Sequence, residues 1–143
     1  MFSTSAQKEG EARSFGASEF HLLSKPETVT EPVDVLVLTG HKYPDFSTFM
    51  IKEILARTGT VVPLTASTDN MNLPSLAMFF GGYNIHSSLV ASRKVHNDSL
   101  NFAALHNIRP AIEEFTMDED GWEKALARLN SGQLRYRAVL INK

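Results

Sequence analysis

The sequence predicts an α/β fold with a mostly parallel sheet and helices on both of its faces. Segments of strand and helix character alternate along all 143 residues, which is the pattern of a layered sheet with right-handed crossovers. The run VDVLVLTG at 33–40 is continuous and β-branched, as in a strand that helices cover from both sides. No internal repeat or linker interrupts the alternation, so a single domain over 1–143 is predicted.

The first elements are a helix and a short strand. Ser5 has the side chain of an N-cap and Gly16 stands where a helix would end, which predicts a helix over 6–15. The apolar run at 20–23 predicts a short strand. A polar loop follows it, and its two prolines do not permit regular strand pairing.

The next helix is predicted from an apolar face. Asp45 can cap it and Gly59 can end it, so the helix is expected over 45–57 and a strand over 60–64. The residues on the apolar face are Phe46, Phe49, Met50, Ile54 and Leu55.

The second half of the chain repeats the alternation. Ser92 is the expected cap of one helix, and Asp120 with Glu123 forms a D-x-x-E start for another. The predicted elements are a short helix at 74–80, a strand at 83–90, a helix to about 106, a strand at 110–115, a helix from about 120 to 130 and a strand at 135–141.

Composition excludes several classes of function. Cysteine is absent, which removes disulfides, thiolate nucleophiles and cysteine-based metal sites. The formal net charge is −2, so the totals carry no basic surface for a nucleic acid. The N-terminal twenty residues hold no signal-peptide core, and no apolar run is long enough for a bilayer. A cytoplasmic protein without nucleic-acid or membrane partners is therefore expected.

Several stretches carry a family resemblance. The C-terminal run from SLNFAALHNIRPAIEEF to LRYRAVLINK, the N-terminal STSAQKEGEARSFGASEF, and the segments TGTVVPLTAS and YNIHSSLVASRK occur in this order. Together they resemble zinc-type medium-chain alcohol dehydrogenases, most closely the cinnamyl-alcohol-dehydrogenase-like branch. The resemblance implies a truncated Rossmann-like fold, the latter part of a cofactor-binding domain. The zinc-bearing catalytic domain and the first βαβ unit, with its G-x-G-x-x-G turn, are expected to lie before Met1.

The resemblance also implies a remnant of a cofactor site. In NADP-preferring members a hydroxyl-rich run with a lysine binds the 2′-phosphate, and Ser3, Thr4, Ser5 and Lys8 match it. A capped and solvated helix start is the alternative interpretation. The family pattern I-x-G-S-x-x-G-S stands at 85–92 as IHSSLVAS, so two glycines near the nicotinamide are replaced. The expectation is therefore no cofactor, with NADP as the alternative.

Candidate catalytic groups follow the strand at 33–40, because ligands of open α/β sheets collect at the carboxyl ends of the strands. His41, Lys42, Tyr43 and Asp45 are all capable of proton transfer. A polar loop in which Asp45 only caps the next helix is the alternative. Substrate-binding candidates at neighbouring strand ends are Thr65, Ser67, Asp69, Ser87, Ser88 and Arg93.

No metal site is predicted. His86 lies in a predicted strand, whereas His96 and His106 lie on a predicted helix. Their spacing lacks the i, i+4 arrangement that lets two imidazoles share one ion. These histidines are interpreted as structural or exposed.

A homodimer and three functions remain as hypotheses. The resemblance implies that the strand at 83–90 pairs across a two-fold axis. Phe79, Phe80 and Tyr83 are candidate aromatic anchors of that interface, and local core packing is the alternative for the two phenylalanines. The favoured function is a small-molecule enzyme with non-redox chemistry, namely cyclisation, isomerisation or dehydration, in a former nicotinamide cleft. The alternatives are an NADP(H)-binding reductase remnant completed by another polypeptide and a non-catalytic dimerisation module.

Overall fold

A computed structural model gives the structure of the chain and describes residues 1–40, 42–51, 53–65 and 67–142. The strands are β1 (Phe2–Ser3), β2 (His21–Leu22), β3 (Val33–Leu38), β4 (Leu55–Pro63), β5 (Asn84–Ile85), β6 (Ile112–Thr116) and β7 (Arg137–Ile141). The helices are α1 (Glu9–Ser14), α2 (Phe46–Phe49), α3 (Ser75–Gly81), α4 (Arg93–Leu105) and α5 (Glu119–Asn130). Short 3-10 turns stand at Ala6–Lys8 and Pro26–Thr28.

The described strands pair in parallel, as the alternation of elements predicts. Their order is β1-β2 in one sheet, β3-β4-β5 in a second and β6-β7 in a third. The contacts divide the chain into two compact units, Met1–Val90 with the first two sheets and Ala91–Lys143 with the third. No helix in the described part of the chain is long and apolar enough to cross a membrane.

The helix predicted over 45–57 is wrong in its length. α2 ends at Phe49, and β4 already begins at Leu55. The five residues of the predicted apolar face are nevertheless all buried, at 0–4% exposure. The spacing of these residues reflects their burial and not a helical conformation. A segment that is packed on several sides can bury its apolar side chains without a helical period.

Gly59 does not end a helix. It lies inside β4 directly after Thr58, whose φ is 61°. A Cβ on Gly59 would stand 2.7 Å from the Ala56 carbonyl oxygen. The pairing of β3 with β4 shifts register over this stretch, so the glycine serves a bulge in the strand.

The expectation that helices cover β3 on both faces is also wrong. Val33, Val35 and Val37 are 38–52% exposed, whereas Leu36 is 8% exposed. Exposure alternates with the period of two of a strand, so only one face of β3 is packed. That face joins the core of Met1–Val90, whose buried members are Leu36, Phe46, Phe49, Met50, Ile54, Leu55, Val61 and Tyr83.

The predicted strand at 83–90 is paired only over Asn84–Ile85. Tyr83 lies in the core, and its hydroxyl donates to the Leu55 carbonyl at 3.2 Å. Burial raises the pKa of this phenol. Phe79 and Phe80 are 80% and 66% exposed, so neither is part of that core.

In the unit Ala91–Lys143, the start of α5 differs from the prediction. Asp118 is the N-cap, and its Oδ1 accepts from the Gly121 N–H at 2.7 Å and from the Thr116 hydroxyl at 2.9 Å. Asp120 instead pairs with Lys124 one turn along the helix. The prediction for α4 is confirmed: Ser92 accepts from the Val95 N–H at 3.4 Å.

Candidate functional site

The loop after β1 holds the hydroxyl groups at the start of the chain. Ser3 is 6% exposed, and its Oγ accepts from the Ser5 N–H at 3.3 Å. The Ser5 hydroxyl accepts from the Gln7 N–H at 3.3 Å, which confirms its role as a cap. Thr4 and Lys8 are exposed. Ser3 and Ser5 therefore shape the turn, and Thr4 and Lys8 stand on its surface.

Beside this loop lies a polar network that sequence reasoning missed. The His21 side chain, 10% exposed, contacts the Glu19 carboxylate at 2.9 Å and the Thr28 hydroxyl at 2.8 Å. Its ring centroid lies 5.5 Å from that of Phe2 on the paired strand. The alternation of apolar and polar residues does not predict this network. The turn at 26–28 brings Thr28 back to His21, and a pattern of neighbouring residues does not show such a contact.

A polar cleft opens after β3. It has a volume of about 390 Å³ and is lined by Lys42, Tyr43, Pro44, Asp45, Phe46, Asp69, Asn70 and Asn72. Three predicted catalytic residues, Lys42, Tyr43 and Asp45, and the predicted substrate residue Asp69 thus lie together. His41 falls outside the described residues. Sequence reasoning missed Asn70 and Asn72, although their amide side chains sit in a loop rich in Ser, Thr, Asp and Asn.

The Asp45 carboxylate caps the N-terminus of α2. Its Oδ1 accepts from the Ser47 N–H at 3.0 Å and from the Ser47 hydroxyl at 2.6 Å. These hydrogen bonds hold the pKa of the carboxyl below its usual value. Asp45 therefore stays ionised near neutral pH and is unsuited to donate a proton there.

The other cleft residues have packing or loop contacts. The ring centroid of Tyr43 lies 6.2 Å from that of Phe46, which ties the phenol to the edge of the core. The Ser67 hydroxyl accepts from the Asp69 N–H at 3.1 Å, so Ser67 shapes the loop that presents Asp69. Lys42 is exposed and belongs to the lining of the cleft.

The remaining substrate candidates do not join the cleft lining. Thr65 donates to the Gly40 carbonyl and bridges the ends of β3 and β4. Ser87 and Ser88 are exposed in a segment without regular structure, where the Ser88 hydroxyl donates to the Leu89 carbonyl at 3.2 Å. Arg93 begins α4 in the other compact unit and is exposed.

The described residues contain no group of three or more side chains able to hold a metal ion together. His86 is exposed after β5, and the ring centroid of His106 lies 4.3 Å from that of Phe102 at the end of α4, with the two rings tilted by 43°.

Comparison with known proteins gives relatives of one kind. No family model matches the sequence. The chain is 27% identical over 142 residues to aldehyde reductase AdhA of Synechocystis, covering 97% of this chain and 41% of the relative. It is 26% identical over 145 residues to NADP-dependent alcohol dehydrogenase C 1 of Mycolicibacterium smegmatis, covering 98% and 40%. A cinnamyl alcohol dehydrogenase from Sorghum bicolor superposes with a TM-score of 0.84 at 24% identity, covering 97% of this chain and 39% of that one.

The chain is a relative of the medium-chain alcohol dehydrogenases. Its relatives and structural neighbours are of the zinc-type, cinnamyl-alcohol-dehydrogenase-like kind, and the shared fold is the Rossmann-like part of those enzymes. The chain spans about two fifths of the length of the curated relatives it matches. The recognition made from the sequence is thereby confirmed, and the fold class with it.

Proposed function

We propose that this alcohol dehydrogenase relative binds the adenosine 2′-phosphate of NADP(H) on the loop after β1. The proposal rests on the different contacts of the side chains in that loop. The Ser3 and Ser5 hydroxyls accept hydrogen bonds from backbone N–H groups of the turn, whereas Thr4 and Lys8 are exposed at its surface. The NADP dependence named for the Mycolicibacterium smegmatis relative supports the NADP alternative. The relatives give no support to the expectation that the chain takes no cofactor.

The side chains of this loop suit a phosphate. A phosphate monoester carries close to two negative charges at neutral pH and offers three acceptor oxygens. The Thr4 hydroxyl can donate to it, and so can that of Ser5, because a hydroxyl that accepts one hydrogen bond keeps its own proton. Among the described residues, no carboxylate pairs with the Lys8 ammonium, so phosphate binding breaks no ion pair.

The same loop gives a reason for selectivity. NADH carries a neutral hydroxyl in place of the 2′-phosphate and gains nothing from an ammonium at position 8. A charge-assisted contact is roughly twice as strong as a neutral one. The loop is therefore expected to distinguish the two cofactors mainly through Lys8, with Thr4 and Ser5 setting the orientation of the phosphate.

The test is a fluorescence titration with NADPH. Lys8→Ala should weaken binding about tenfold, and Lys8→Glu should weaken it further because it places a carboxylate beside the phosphate. Lys94→Ala is the control, since it removes an exposed lysine of α4 that belongs to neither candidate site and should leave the affinity unchanged. Equal affinity of wild type and Lys8→Ala, or a loss found only in Lys94→Ala, contradicts the proposal.

The cleft after β3 supports a second candidate function, the non-redox chemistry of a small-molecule enzyme. Lys42, Tyr43 and Asp69 line a common space, and an amine, a phenol and a carboxylate are sufficient for proton transfer to and from a bound substrate. Asp45 caps α2, so it is no longer available as one of the four proton-transfer groups that suggested a non-redox enzyme. The loop after β1 is therefore the better supported site.

A homodimer remains part of the proposal. Leu76, Phe79 and Phe80 on or beside α3 are 66–80% exposed, and Leu89 and Val90 are 84–91% exposed. Large apolar side chains in such numbers favour a surface that another protein covers. The contact is expected through these side chains rather than through a strand spanning 83–90.

A further inference from the structure

The loop after β2 runs beside the loop after β1. The two strands are parallel, with Ser3 opposite Leu22, and the Leu23 N–H donates to the Ser3 carbonyl at 2.8 Å. Parallel strands in one sheet lie about 4.8 Å apart, so both loops leave the sheet at the same edge. The chain that follows Leu22 therefore starts beside the loop that carries Thr4.

Lys25 is held close to this edge by its backbone. Its N–H donates to the Leu22 carbonyl at 2.9 Å, and its carbonyl accepts from the Thr28 N–H at 3.2 Å and from the Thr28 hydroxyl at 2.8 Å. Thr28 is in turn bound to His21 of β2 at 2.8 Å. The backbone of Lys25 is thus fixed on both sides, while its side chain is exposed.

The charges around the two loops leave the lysines available. Glu9 is paired with Arg13 at 2.9 Å, and Glu19 is paired with His21 at 2.9 Å. Within the described ranges, no carboxylate pairs with the Lys25 ammonium. A dianionic phosphate at Thr4 needs more positive charge than Lys8 alone supplies, and Lys25 is the other cation on these loops.

We propose that Lys25 is a second phosphate-binding cation, which holds the 2′-phosphate together with Lys8 and so strengthens the preference for a phosphorylated ribose. This inference rests on the proposed function, because it concerns the same phosphate. The ligand class it defines is an adenosine nucleotide with a monoester phosphate on the ribose 2′-oxygen.

The experiment follows the ³¹P resonance of the 2′-phosphate while adenosine 2′,5′-bisphosphate is titrated with the protein. Adenosine 5′-monophosphate is the reference ligand, since it lacks that phosphate. Lys25→Ala and Lys8→Ala should each weaken binding of the bisphosphate about fivefold to tenfold and leave the monophosphate unchanged. Lys25→Arg should retain most of the affinity because it keeps the charge. Glu27→Gln removes the neighbouring carboxylate and should bind at least as well as wild type.

The outcomes separate the two proposals. If Lys8→Ala weakens binding and Lys25→Ala does not, the role of Lys25 is refuted while the phosphate site stands. If wild type binds the two nucleotides equally, or binds neither, the phosphate site itself is refuted and Lys25 with it. Lys25 is exposed, so thermal unfolding of Lys25→Ala should match that of wild type and exclude a folding defect as the cause of any loss.

Discussion

Replacing Phe46 by alanine is expected to lower the free energy of unfolding by about 3–5 kcal/mol. The side chain is 1% exposed and lies at the start of α2, between Tyr43 and the buried cluster. Its removal exchanges a packed aromatic ring for a cavity that neighbours on β3 and β4 cannot fill without moving. Urea denaturation followed by circular dichroism measures the change.

Val35→Ala is the matched control for Phe46→Ala. Val35 is an apolar residue of the same compact unit, but it is 52% exposed on the open face of β3. Its truncation is expected to change the free energy of unfolding by no more than about 0.5 kcal/mol. Equal effects of the two substitutions would show that the core of Met1–Val90 is not centred on α2.

Gly121→Ala is expected to destabilise the unit Ala91–Lys143, although alanine is normally the better helix residue. A Cβ at Gly121 would stand 2.1 Å from the Thr116 carbonyl oxygen and 2.7 Å from the Thr116 Oγ1. The first of these atoms is backbone of β6, so relief requires α5 to move away from the strand. Overpacking of this kind costs about 1–3 kcal/mol or more.

Gly10→Ala tests the same exchange without the clash. Gly10 lies in α1, and a Cβ there meets no atom within 4 Å. The substitution should stabilise the chain by about 0.5–1 kcal/mol. Alanine lowers the conformational entropy of the unfolded chain and favours the helical conformation more than glycine does. Thermal unfolding should therefore move in opposite directions for the two glycines, and a shift in the same direction contradicts the close packing of α5 on β6.

Local chemistry predicted most helix starts and ends, and the exceptions are the end of α2 and the start of α5. Ser5, Asp45 and Ser92 cap helices as expected, because a cap depends on a few adjacent residues. The extent of α2 and the burial of β3 depend on which parts of the chain cover them, and this is a tertiary property. The same holds for α5, where Asp118 and Asp120 are both plausible caps and only the contact with Thr116 decides between them.

The strand order shows what the sequence pattern could not. The described strands form three parallel sheets, of order β1-β2, β3-β4-β5 and β6-β7. Which strands pair depends on residues that are far apart in the sequence, so no local pattern predicts it. The exposure of Val35 and Val37 is likewise a tertiary property, although their β-branched run resembles that of a covered strand.

The candidate site was predictable to different degrees. The grouping of Lys42, Tyr43, Asp45 and Asp69 follows from the rule that strand ends of a parallel sheet share an edge, and the cleft contains all four. Their individual roles did not follow, since Asp45 is bound to Ser47 and Tyr43 packs on Phe46. The loops that carry Thr4 and Lys25 follow paired strands, and the pairing of β1 with β2 is one that no spacing in the sequence reveals.

The most direct test of phosphate recognition compares NADPH with NADH on the wild-type chain at one ionic strength. We expect saturable binding of NADPH with an affinity about tenfold or more above that of NADH, because the contacts proposed for Thr4, Ser5 and Lys8 are made with the 2′-phosphate, which NADH lacks. Equal affinities for the two nucleotides, or no saturable binding of NADPH, would contradict it.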